Sequence, residues 1–132
     1  MKEVTEFIEN WVDSETKTKE AFLEFKKLLE SNNDIEFSFN ARPGVSYSLR
    51  AKKSSQTRPL FVLLDVIDDD PADRWLSVCF YGDTINDLEE KGDFVPGGLL
   101  GEDGHCFDLD DGTKENINYL KDRIMEAYKN AK

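Results

Sequence analysis

The chain has 132 residues, of which 39% are hydrophobic and 34% charged, and its net charge is −11. A chain of this length can bury a core without the help of a disulfide or a metal, and its hydrophobic content excludes a disordered protein. We therefore predict a single globular domain over residues 1–132. No run approaches the roughly 20 apolar residues of a membrane span, and the N-terminus lacks the apolar region of a signal peptide. We expect a cytoplasmic protein away from membranes, with Cys79 and Cys106 as reduced thiols.

The charges are segregated along the chain. Residues 41–64 hold five basic side chains and no acidic one, whereas residues 65–111 hold fifteen acidic and two basic side chains. The acidic region repels nucleic-acid phosphate and anionic membranes, so a nucleic-acid partner is not expected. It would attract a basic surface of another protein, and the charge separation also favours self-association. A simpler alternative is that the acidic loops only keep the domain soluble.

The first half of the chain predicts two helices and two strands. Apolar residues at helical spacing indicate helices over about 3–12 and 15–31, with Asp13 or Ser14 as the N-cap of the second. Strict alternation over 35–41 and 45–52 then predicts an antiparallel hairpin.

The second half continues the sheet and ends in a helix. The segment 60–67 is apolar almost throughout, which predicts a central strand covered on both faces. Another strand is expected at 74–82, a short helix at 83–91 and a glycine-rich loop at 92–104. A fifth strand at 105–109 leads into a helix at about 113–130. The predicted class is α+β: a largely antiparallel sheet of about five strands, with the N-terminal helices and the C-terminal helix packed on one face.

The stretch GHCFDLDDG, residues 104–112, contains the only histidine of the chain. Neighbouring residues of a strand point to opposite faces, so His105 and Cys106 cannot form a catalytic thiol–imidazole pair. His105 could reach Cys79 only if their strands were adjacent. The aspartates fail the spacing of a calcium loop. We therefore predict a strand followed by a helix that Asp110 or Asp111 caps.

Two further segments suggest binding. The turn at 67–74 has three consecutive aspartates that could hold a divalent ion weakly, although consecutive side chains rarely converge on one point. The loop 92–104 has no phosphate-binding motif. Its large apolar side chains, among them Phe94, Leu99 and Leu100, must either pack onto the sheet or meet a partner.

The stretch GHCFDL, followed by ENINYLKDRIMEAYKN, resembles the C-terminal part of small bacterial domains of unknown function. In those, a strand with a Gly-His start precedes a helix with an Ile-x-x-Ala-Tyr pattern, which here is Ile124, Ala127 and Tyr128. The resemblance implies an α+β fold with a terminal packing helix and brings no catalytic residues.

The sequence thus favours a non-enzymatic, acidic interaction module that binds another protein or itself and needs no cofactor. An alternative is a protein that binds a small molecule or a divalent metal through residues 65–111. A third hypothesis is that carboxylates along one face imitate nucleic acid. The candidate binding residues are Asp65, Asp68, Asp70, Phe94, Leu99, Leu100, His105, Asp108 and Asp110.

Overall fold

The computed structural model describes all residues from 1 to 132 and contains three helices and six strands. The helices are α1 (Lys2–Asn10), α2 (Thr18–Glu30) and α3 (Lys114–Lys129). The strands are β1 (Ile35–Arg42), β2 (Ser46–Lys53), β3 (Val62–Ile67), β4 (Trp75–Tyr81), β5 (Asp93–Leu99) and β6 (Glu102–Leu109). No helix is both long and apolar enough to cross a bilayer.

All six strands form one antiparallel sheet in the order β1-β2-β3-β4-β6-β5. The first four follow one another as an antiparallel meander, joined by connections of three, eight and seven residues. The last hairpin is inserted so that β6, not β5, pairs with β4. The predicted α+β class is confirmed, with six strands in place of five.

The three helices cover one face of the sheet and bury the main core there. Strand residues such as Leu49, Leu64 and Val78 pack in one cluster with helix residues such as Phe22 and Ile124. Strand side chains alternate between the two faces, so every second residue of each strand faces the helices. This packing explains why the strands alternate so regularly in sequence.

No helix lies on the other face of the sheet, which we call the open face. Here β3 presents Leu63, Asp65 and Ile67, all of them half-buried. The prediction that this strand is covered on both faces is therefore wrong: two of its three open-face side chains, Leu63 and Ile67, are apolar, but no element of secondary structure lies above them. A small cluster that includes Leu60 and Tyr81 covers only one end of this face.

Residues 83–109 differ most from the prediction. Residues 83–91 form turns and no helix, and the glycine-rich segment contains β5, which pairs with β6. The two strands are joined at Leu100 and Gly101, whose φ angles of 51° and 86° are the positive values that a tight primed hairpin turn requires. Strand pairing therefore overrides the local glycine signal.

Two helix caps also differ from expectation. The N-cap of α3 is Thr113, whose hydroxyl accepts a 3.2 Å hydrogen bond from the N–H of Asn116. Asp110 and Asp111 precede it and do not cap the helix. The N-cap of α2 is Lys17 in a left-handed conformation, while Asp13 accepts hydrogen bonds from the N–H groups of Ser14 and Lys19.

Candidate functional site: a free sheet edge with an aromatic pocket

His105 is held in place by a buried carboxylate. Its Nε2 lies 2.9 Å from Asp87 Oδ2, and the Asp87 side chain is only 6% exposed. The same carboxylate accepts hydrogen bonds from the Tyr119 hydroxyl and from the N–H groups of Lys91 and Gly92. Asp87 thus fastens the turn 83–92 to both β6 and α3.

The low pKa of Asp87 reflects the number of hydrogen bonds that its carboxylate accepts. Burial alone would raise the pKa, but the hydrogen bonds from Tyr119, Gly92, His105 and Lys91 lower it to about 2. Burial and the bond to Asp87 raise the pKa of Tyr119. The bonds of Asp87 hold the turn 83–92 together and tie it to β6 and α3, and this arrangement accounts for His105 as a structural residue.

The two cysteines form a disulfide that joins β4 to β6, with their Cα atoms 4.1 Å apart. The expectation of reduced thiols is therefore wrong for this structure. The Gly82 N–H donates to Asp103 O, which makes Gly82 and Asp103 a hydrogen-bonded pair of the β4–β6 ladder. Hydrogen-bonded and non-hydrogen-bonded pairs alternate along such a ladder. Cys79 and Cys106, three residues further along each strand, are therefore a directly opposed, non-hydrogen-bonded pair. Such pairs bring side chains closest together. His105 faces the helices, on the side of the sheet opposite to both sulfurs.

The acidic turn contains one buried carboxylate with a structural role. Asp68 is 3% exposed, accepts the Gly44 N–H, and lies 2.7 Å from Arg74 Nε. Burial alone would raise the pKa of Asp68, yet these two donors lower it below its ordinary value. Asp70 is exposed, and its acceptor bonds stay within the turn: its carboxylate accepts the N–H of Ala72 and its carbonyl the N–H of Asp73.

The remaining predicted residues are dispersed. Asp65 accepts the Ser48 hydroxyl on the open face, Asp110 is exposed, and Asp108 borders a cavity of about 280 Å³ beside Tyr119. Nowhere do three His, Cys, Asp or Glu side chains converge as a metal site requires. Among the apolar residues of the hairpin, Leu99 is buried, whereas Phe94 and Leu100 are 58% and 51% exposed.

The two edges of the sheet are not equivalent. The outer edge at β5 carries Pro96 and an irregular register between Val95 and Leu99, which disrupts pairing with a further strand. The outer edge at β1 is a regular eight-residue strand with no proline. Only β1 therefore presents an ordered row of backbone groups to a partner.

The register of β1 fixes which backbone groups are free. Ser54 N–H donates to Asp34 O at 2.8 Å, in the same register in which β1 pairs with β2. Hydrogen-bonded and non-hydrogen-bonded pairs alternate along an antiparallel ladder. Consequently, every second residue of β1 has its N–H and C=O groups directed away from β2 and outward from the free edge. These residues include Phe37, Phe39 and Ala41.

An aromatic pocket lies directly beside this edge, between α1 and β1. It has a volume of about 300 Å³, and its lining includes Phe7, Phe39 and Tyr47 together with Glu3 and Glu6. The rings of Phe7 and Tyr47 stack with centroids 4.2 Å apart. Aromatic faces rimmed by carboxylates suit the side chain of a cation with an apolar stem.

Arg74 forms the inner wall of this pocket, and its charge is already matched. Its guanidinium lies 5.2 Å from the Phe7 ring and 5.3 Å from the Tyr47 ring while it pairs with Asp68. Glu6 has only a loose ion pair at 3.9 Å with the exposed Lys2, and Glu3 has none. The outer rim of the pocket is therefore negative.

Sequence reasoning missed this site because it depends on strand order. The helical spacing of Phe7 and the alternation of Phe39 and Tyr47 were visible, and each indicated only a core residue. The fold defines a two-layer α+β domain with one regular free edge. Comparison of the chain with protein-family models, with curated proteins and with solved structures finds no match in any of the three.

Proposed function

We propose that the protein is a non-enzymatic interaction module that binds an extended, basic segment of another protein along the free edge of β1. The observation that carries this proposal is the coincidence of an unpaired, regular edge with an aromatic, acid-rimmed pocket at the same place. Addition of a strand to an exposed edge is a common mode of peptide recognition, in which the backbone supplies affinity and pockets supply specificity.

The geometry specifies what the bound segment contributes. Its backbone pairs with the outward groups of Phe37, Phe39 and Ala41. A side chain directly opposite Phe39 or Ala41 points to the helix-covered side, because paired residues share a face. A lysine or arginine there would place its stem on the rings and its charge near Glu3 and Glu6. The net charge of −11 would draw such a segment in from solution.

The first experiment uses two synthetic hexapeptides of alternating sequence, one of lysine and threonine and the other of glutamate and threonine. Amide hydrogen exchange of the isotope-labelled protein is measured with each. We expect the lysine peptide to slow exchange at Phe37, Phe39 and Ala41, whose N–H groups are free. Exchange at Ser38 and Asn40 should change little because β2 already protects them. The glutamate peptide should have no effect.

Two pairs of variants test the edge and the pocket separately. Ala41→Pro removes one outward N–H and leaves the β1–β2 ladder intact, whereas Ala41→Val retains that N–H. Peptide binding should be lost in the first variant and kept in the second. Replacing Glu3 and Glu6 by Gln should weaken the lysine peptide at low salt. Equal binding of both peptides, or full binding by Ala41→Pro, would show that the edge is not the site.

The metal-binding alternative receives no support from side-chain convergence, since no group of three ligating residues forms. Titration with calcium, magnesium, manganese and zinc tests it directly. Saturable amide shifts confined to residues 65–73 or 102–112 would favour that alternative over the interaction module.

A further inference from the structure

Apart from Glu102 of β6, which pairs with Arg58, the open face of the sheet carries seven charged side chains from five strands, and none of these seven takes part in an ion pair. They are Glu36, Arg42, Arg50, Lys52, Asp65, Asp93 and Asp108. Their only side-chain hydrogen-bond partners are hydroxyls: Arg42 donates to Ser46 at 2.8 Å, and Asp65 accepts from Ser48. Charges of both signs are therefore present on one face of the sheet without forming ion pairs with each other.

These charges are sorted across the sheet. The strands β1 and β2 hold the three cations and one carboxylate, while β3, β6 and β5 hold only carboxylates. Between the two sides, β3 and β4 present half-buried apolar side chains, chiefly Leu63, Ile67 and Trp75. The order across the face is thus basic, apolar, acidic.

We propose that the open face binds the open face of a second copy of this chain, about a twofold axis that runs parallel to the strands between β3 and β4. This contact goes beyond the peptide-binding proposal and uses a different surface. The axis places β1 over β5 of the second copy, β2 over β6, and β3 over β4. The basic side of each copy then lies over the acidic side of the other, as an isologous contact requires.

The register of the sheet makes the centre of this contact self-complementary. Ile67 pairs with Trp75, and Leu63 with Cys79, across the β3–β4 ladder. Rotation about the stated axis keeps each residue at its height along the strands. Ile67 of one copy therefore packs on Trp75 of the other, and Leu63 packs on the Cys79–Cys106 disulfide. Each contact occurs twice.

The charged positions match in the same arrangement. Cross-strand partners form rows that run across the sheet at one height along the strands. Arg50 and Asp93 belong to the row that contains Cys106, and Asp108 belongs to the next row on the open face. Arg50 of one copy consequently reaches between Asp93 and Asp108 of the other. Its guanidinium can engage carboxylates in a planar, two-pronged geometry that lysine lacks.

The size of the face sets the strength of this dimer. The end at Tyr81 is covered by Leu60 and Leu99, so the contact uses the remaining three rows of side chains. At about 4.8 Å between strands and about 6.8 Å between rows, this gives roughly 500 Å² per copy. The total is near the lower limit for a specific interface, so we expect a dimer that dissociates on dilution at micromolar concentrations.

Sedimentation equilibrium of the full chain across a range of concentrations tests the proposal. The wild type should shift from one to two copies as its concentration rises. The variant Arg50→Glu should weaken dimerisation at least tenfold, and so should the double variant Asp93→Lys, Asp108→Lys. Mixing the two variants should restore a dimer, because opposite charges then face each other at both symmetric positions, exchanged in sign at one and as in the wild type at the other.

A matched control is Lys114→Glu, which makes the same charge change at the start of α3 and should leave dimerisation unchanged. Ala41→Pro should also dimerise normally, so loss of peptide binding and loss of the dimer can be told apart. Restoration in the mixture shows that both charge variants fold. A wild type that stays monomeric at the highest concentration, or a dimer indifferent to Arg50→Glu, would overturn the proposal.

Discussion

Replacement of Asp87 tests whether His105 belongs to a structural cluster or to a reactive one. Asp87→Ala removes the acceptor of four donors: the Tyr119 hydroxyl, the N–H groups of Lys91 and Gly92, and the His105 ring. A buried donor left without an acceptor costs about 1–3 kcal/mol. If water reaches two of these four donors, the other two remain unsatisfied, and the free energy of unfolding should fall by about 2–6 kcal/mol.

Urea unfolding followed by circular dichroism measures this loss. Asp87→Asn should lie between the wild type and Asp87→Ala, because the amide keeps one acceptor oxygen but turns an NH2 group toward donors. Asp110→Asn is the matched control: Asp110 is exposed and has no hydrogen-bond partner, so its change should stay within about 0.5 kcal/mol. A loss below 0.5 kcal/mol for Asp87→Ala would refute the structural role.

The pH dependence gives an independent check with a defined sign. The pKa of Asp87 in the folded protein is about 2, below its ordinary value of 3.8. Its contribution to stability is therefore complete above the ordinary value and is lost as the pH falls toward 2. We expect about 1–2 kcal/mol of acid destabilisation that is present in the wild type and absent in Asp87→Asn.

Three other replacements have clear expected outcomes. Asp68→Ala leaves the Arg74 guanidinium, which is 11% exposed, without a counter-charge, so unfolding in denaturant should show a loss of about 3–5 kcal/mol. Reduction of the Cys79–Cys106 disulfide, whose cysteines are 27 residues apart, should lower stability by about 3–4 kcal/mol. Alkylation without reductant should find no free thiol; a freely alkylated protein would contradict the disulfide. Thr113→Ala should cost about 1 kcal/mol and Thr113→Ser almost nothing, as measured by thermal unfolding.

The strands of the meander could be predicted because their pattern is imposed by the core. Phe37, Leu49 and Leu64 all face the helices, and alternation with polar residues on the open face makes each strand visible in sequence. The same reasoning failed for β5. Its burial is slight, its sequence contains Pro96 and two adjacent glycines, and only pairing with β6 holds it extended.

The contacts at His105 and at the cysteines could not be predicted, because they depend on which strands are neighbours. Asp87 is 18 residues from His105 in sequence, and nothing in its surroundings distinguishes it from the exposed acids nearby. Cys79 and Cys106 carry no spacing signal either. Their pairing requires β6 to lie beside β4 in one particular register, which a one-residue slip would abolish.

The charge segregation seen in sequence becomes a surface property because a meander preserves chain order in space. The basic segment 41–64 supplies β2 and the end of β1, and the acidic segment 65–111 supplies the strands beyond β3. Exchanging β5 and β6 leaves this sorting intact, since both strands carry carboxylates on the open face. The same chain order leaves β1 at an edge, beneath the acidic helix α1. One topology therefore accounts for both proposed contacts, and their charge requirements distinguish them. The edge should bind a basic segment of a partner, whereas the open face, with cations on one side and carboxylates on the other, should bind a second open face.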